Sequence, residues 1–62
     1  DRALTEAERK EIQRRLADMG YYQGEIDGVT GSGTMEAVRA WQMAQGIAPD
    51  GYVNEALLKK LR

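Results

Sequence analysis

Apolar residues in the first third of the chain recur at helical intervals. Ile12, Leu16 and Met19 are spaced by four and three, which places them on one face. Arg9, Lys10, Arg14 and Arg15, with Glu6, Glu8, Glu11 and Asp18, fill the other faces. Thr5 and Glu8 have the spacing of a capping box, in which the hydroxyl accepts from the third helical N–H and the carboxylate reaches back to the cap, so the helix begins near Glu6. Gly20 ends it, because glycine takes the left-handed conformation after a helix without a Cβ clash.

From Tyr21 to Gly33 the helical period is absent and four glycines appear. Loops of that length are usually functional or disordered. Tyr21, Ile26 and Val29 recur as apolar pins, which predicts an ordered connection. A second helix starts around Ser32 to Thr34, sets Ala37, Val38 and Trp41, with Met35, on one face, and stops at Gly46. Ile47 to Val53 repeats the turn and pin in shorter form, and Pro49 within it cannot continue a helix. Asn54 then caps a third helix, Glu55 to Leu61, that buries Leu58 and Leu61 with Leu57. The pattern describes an all-α, compact three-helix domain with two irregular Asp-Gly connections, with room for short extended pieces to pair in the loops.

The connections echo each other. Aligning Asp27 with Asp50 sets "DGVTGSGTMEAV" against "DGYVNEALLKKL", so turn, following residue and helix all correspond. An aspartate opening such a turn accepts backbone N–H groups on its own carboxylate, while the glycine supplies positive φ. Asp27 and Asp50 therefore read first as structural turn residues. A calcium loop needs alternating oxygen ligands before its glycine and a closing glutamate; Gly24, Ile26, Ala48 and Pro49 provide no such array.

At 62 residues there is room for one domain, residues 1–62, burying about 60% of the surface its unfolded chain would expose. No cysteine can staple it, and without histidine it lacks the usual zinc ligands and the usual general base. Nine basic and ten acidic side chains leave a net charge of −1, so neither nucleic acid nor an anionic membrane is an electrostatic partner. Apolar runs are far too short to span a bilayer. The chain starts at Asp1 without a signal peptide, which reads as a domain excised from a longer precursor.

The stretch Ile12 to Leu61 resembles the small three-helix peptidoglycan-binding domain of bacterial cell-wall enzymes. The likeness is carried by Ile12-Gln13 with Leu16, Gly20-Tyr21, Asp27-Gly28, Gly31, Thr34, Ala37-Val38, Trp41-Gln42, Gly46, Asp50-Gly51, Leu58 and Leu61. Three positions depart from the family pattern: Ser32 stands for a proline, which implies a looser start to the second helix, Trp41 for a phenylalanine, and Leu57 for a threonine. The resemblance implies a non-catalytic module that binds peptidoglycan and tethers a linked wall-modifying enzyme, such as a lytic murein transglycosylase, in the periplasm or outside the cell. It implies a monomer without cofactor or metal. The alternative is a structural or protein-interaction module that no longer binds the wall.

A wall-binding groove needs flat apolar faces for sugar rings or methyl groups, bordered by amides and hydroxyls. Tyr21 reads as core, whereas Tyr22 and Tyr52 have no core role by pattern and are the candidate exposed contacts. Trp41 reads as core with an edge free to line a groove. Gln42 reads chiefly as an amide bracing loop backbone, with ligand contact as its second role. Arg39 is a candidate for the carboxylates of a stem peptide. Catalysis would need paired carboxylates across a cleft; Glu25, Asp27, Glu36 and Asp50 are expected to be solvated with ordinary pKa values. A helix-turn-helix nucleic-acid module would need a short turn and a basic recognition helix, and neither is present.

Overall fold

The computed structural model describes residues 3–62. Among them the chain forms α1 (Glu6–Asp18), α2 (Ser32–Gln45) and α3 (Glu55–Leu61), with no strand. The capping box is formed: Glu8 N–H donates to Thr5 Oγ1 at 3.2 Å and Thr5 N–H donates to Glu8 Oε1 at 2.9 Å. Asn54 Oδ1 accepts from Leu57 N–H at 2.9 Å and so caps α3. Helix α2 opens differently, on Gly31 with no side-chain cap. Gly31 and Asn54 are spaced like Asp27 and Asp50, so the echo seen in the sequence extends from each turn to the start of the helix that follows.

Leu4, Ile12, Leu16, Ala37, Val38, Trp41, Leu57, Leu58 and Leu61 form the core. Each such side chain contributes about 1.5–3 kcal/mol when fully buried, or less for alanine. Two expectations are corrected. Met19 is 45% exposed, because the chain turns at Gly20 (φ 87°) and donates Tyr21 N–H back to the Leu16 carbonyl at 2.8 Å. Tyr21 and Tyr22, rather than the methionine, then pack against the core. Val29 is 65% exposed, so its side chain does not pin this loop.

Leu4 joins the core from just before the cap, the position of a hydrophobic staple. Arg9 fixes that entry, donating from Nη1 to the Leu4 carbonyl and from Nε to the Gly28 carbonyl, both at 2.7 Å. At the other end, Glu11 accepts from Arg15 Nε at 2.9 Å and from Arg62 Nη2 at 2.8 Å, joining the end of α3 to α1. Hydrogen bonds from Arg62 and then Arg15 lower the Glu11 carboxyl from its ordinary 4.5 to about 2.

Candidate functional site

Both Asp-Gly turns are clamped by a buried glutamine. In the second turn, Asp50 Oδ1 accepts from Tyr52 N–H at 3.0 Å and from Gln42 Nε2 at 2.8 Å. Gln42 Oε1 accepts from Gly51 N–H at 2.9 Å, and Gly51 has φ 73°. Only an oxygen can face that N–H, so the orientation of the Gln42 amide is fixed. The first turn repeats the device: Asp27 Oδ1 accepts from Val29 N–H at 2.9 Å, and Gln13 Oε1 accepts from Gly28 N–H at 2.8 Å. Gln13 Nε2 then donates to the Val29 carbonyl at 2.9 Å and to Thr34 Oγ1 at 3.1 Å. Those two bonds use both amide hydrogens, so its longer approaches to Asp27 and Tyr22 are secondary.

The turns set the electrostatics of their aspartates. Asp27 and Asp50 both have a lowered pKa, caused first by the backbone N–H of Val29 and Tyr52 respectively. The glutamine amides act in the same direction, against partial desolvation. This corrects the expectation of ordinary values for these two carboxyls.

Beside the second turn lies a shallow cleft of about 90 Å³ between α2, the link and α3. Its apolar lining comes from Trp41, Ile47, Ala56 and Leu57, and its polar lining from Gln42, Asp50 and Asn54, with the exposed Tyr52 and Lys60. Pockets that enclose a small molecule run to roughly 300–1,000 Å³, so a ligand would lie along this cleft rather than inside it. Among the described residues no acidic, histidine or cysteine cluster is arranged to hold a metal ion.

Of the five residues singled out in the sequence, the cleft brings together Trp41, Gln42 and Tyr52. Trp41 is 5% exposed, and Tyr52 is 65% exposed, the same as its counterpart Val29. Arg39 is not in the lining. Its side chain crosses Gly51 so closely that a Cβ there would stand 3.0 Å from Nε, which places it on the second turn. Tyr22 belongs to the first turn and is half-buried against the core, contrary to the expectation of an exposed contact. Its hydroxyl donates to the Glu25 carbonyl at 2.7 Å, and a Cβ on Gly24 would come within 2.6 Å of that oxygen. Tyr22 therefore braces the long link.

Ile47, Asn54, Ala56, Leu57 and Lys60 were not singled out as site residues. A signal for Lys60 was available: it follows Ala56 and Leu57 by four and three, one face of α3. For Ile47 the only signal was its pairing with the turn.

Residues 5–61 match the sequence profile of the family described as "Putative peptidoglycan binding domain". The chain is 43% identical over 51 residues to a spore cortex-lytic enzyme of Oceanobacillus iheyensis, covering 82% of this chain and 18% of that protein. It is 43% identical over 49 residues to the localization factor PodJL of Caulobacter vibrioides, covering 79% of this chain and 5% of that protein. The crystal structure of SltB3 from Pseudomonas aeruginosa in complex with NAG-NAM-pentapeptide superposes with a TM-score of 0.91 at 44% identity, covering all of this chain and 17% of that one. The chain thus spans less than a fifth of the length of each of these relatives. A profile match over nearly the whole chain, on a fold shared at this level of identity, shows that the chain belongs to the peptidoglycan-binding domain family.

Proposed function

We propose that this domain binds bacterial peptidoglycan without acting on it, through the cleft beside the second Asp-Gly turn, and holds a linked wall-modifying enzyme against its polymeric substrate. The observation that carries this reading is the family match over residues 5–61, joined to an open cleft where Trp41, Gln42 and Tyr52 meet. Tethering of this kind raises the local concentration of a catalytic domain without adding reaction chemistry. Such an enzyme would act in the periplasm or outside the cell. The carboxyls of the two turns support a non-catalytic role, since a general acid needs a raised pKa and theirs are lowered.

Co-sedimentation of the 62-residue chain with insoluble peptidoglycan tests the proposal, beside an inert-protein blank and a duplex DNA control. Pelleting with the wall alone is the expected result. Pelleting no greater than the blank removes the binding claim, and release of soluble sugars would establish catalysis instead. The likeness to a localization factor favours a second reading, in which the domain docks on a protein.

A further inference from the structure

Both side-chain amide oxygens in the cleft are already committed to the fold. The Gln42 amide is engaged at both ends, by Asp50 and by Gly51 N–H, and Asn54 Oδ1 is occupied by Leu57 N–H. Trp41 is too deeply buried to present a ring face. A sugar ring is gripped by free amides and a flat aromatic platform, and here only the Tyr52 ring is available for stacking. What the cleft does offer is charge. Lys60 is the one cation in its lining and has no ion pair among the described residues. Asp50 has Oδ1 saturated by two donors, leaving Oδ2 as an acceptor.

We infer that the cleft takes the peptide stem of the wall polymer rather than its glycan strand, the Lys60 ammonium receiving a stem carboxylate while Ile47 and Tyr52 cover a short aliphatic side chain. The inference rests on the wall-binding reading above. Charge complementarity selects the occupant: in the wall the lactyl carboxyl of each muramic acid is tied up in the amide to its stem, so the sugars present no carboxylate to an ammonium, whereas the stem carries both carboxylates and methyl groups. A cleft too shallow to enclose a ring still accommodates a methyl group and one extended peptide unit. Asp50 Oδ2 is left to accept a stem N–H.

The test compares pelleting of the intact 62-residue chain with whole peptidoglycan and with chitin, an insoluble N-acetylated glycan that carries neither stems nor lactyl carboxylates, together with NMR titration by free stem pentapeptide and by N-acetylglucosamine oligosaccharides. The expected result is pelleting with whole wall only, and pentapeptide shifts at the Tyr52 and Lys60 amides. Lys60→Glu should weaken pelleting about tenfold or more, the scale of one charge-assisted hydrogen bond, and Lys60→Arg should largely restore it. Lys60 is exposed in the last turn of α3, so Lys60→Arg should leave the melting transition unchanged and Lys60→Glu should lower it by only a few degrees, with pelleting read well below it. Equal pelleting with chitin, or oligosaccharide shifts at the same amides, overturns the stem assignment and leaves wall binding standing. Absence of pelleting with either material overturns both. Undiminished pelleting by Lys60→Glu overturns the role of the ammonium.

Discussion

The first turn isolates the structural part of the Gln-Asp-Gly clamp, because its glutamine is fully buried and lies outside the cleft. Gln13→Met keeps most of the side-chain volume and removes every polar contact, so the loss it causes is polar and not a cavity. The buried Gly28 N–H loses its only acceptor among the described residues, at 2.8 Å. Leaving such a donor unmet costs about 1–3 kcal/mol. The Val29 carbonyl and Thr34 hydroxyl each lose a donor, at 2.9 and 3.1 Å. Being nearer solvent, the Val29 carbonyl adds about 0.5–1 kcal/mol. The expected total is about 1.5–4 kcal/mol, a large share of the roughly 3–9 kcal/mol typical of a domain this size. Urea unfolding followed by far-ultraviolet circular dichroism reads it as a lower midpoint with an unchanged slope. A loss under about 0.5 kcal/mol would refute the reasoning. At temperatures where the variant stays folded, wall pelleting should be unaffected.

Thr5→Ala removes the capping acceptor of α1 and should cost about 1 kcal/mol by the same assay; no change would mean the box is not formed in solution. Stability should be level above about pH 5 and fall as pH drops from about 4.5 toward 2. Glu11, Asp27 and Asp50 are all lowered in the fold, so the unfolded chain takes up protons first. Glu11→Gln should flatten much of that slope, and a profile identical to that of the parent chain would contradict the Arg15–Glu11–Arg62 arrangement. Tyr22→Ala should lower the melting temperature with little effect on pelleting below it, whereas Tyr52→Ala should weaken pelleting and leave melting within a few degrees. The reverse pattern would exchange their roles.

The helices were legible because each is bounded by local chemistry. Thr5 with Glu8, Asn54, Gly20 and Gly46 act on residues within one turn, and the structure uses all of them. The errors came where the chain folds back on itself. Met19 satisfies the helical period, yet Gly20 redirects the backbone and puts Tyr21 and Tyr22 against the core instead. Tyr22 could not be recognised as a brace, since its partners are a glycine two residues away and a carbonyl beyond it, in a loop with no period to read. The cleft was legible in half: Trp41, Gln42 and Tyr52 sit on or beside motif positions, while Lys60 shares a helix face with Ala56 and Leu57 that only the placement of α3 against the second link turns toward the cleft.

One turn chemistry thus serves two ends, and the difference lies in what surrounds it. Around the first turn, Tyr22 braces the long link over Gly24 and Thr34 joins the Gln13 network beneath the turn. At the positions matching Thr34 and Ala37, both buried, the second unit has Leu57 and Lys60, an apolar lining residue and an exposed ammonium. Its link, Ile47 to Val53, is too short to supply a counterpart to Tyr22. The clamp therefore fixes the Gly51 and Tyr52 N–H groups by the same acceptors as in the first turn, but leaves the flank beside them open. A fixed open flank in a domain without a large core is obtained here by repeating a self-sufficient turn and omitting the cover from one copy.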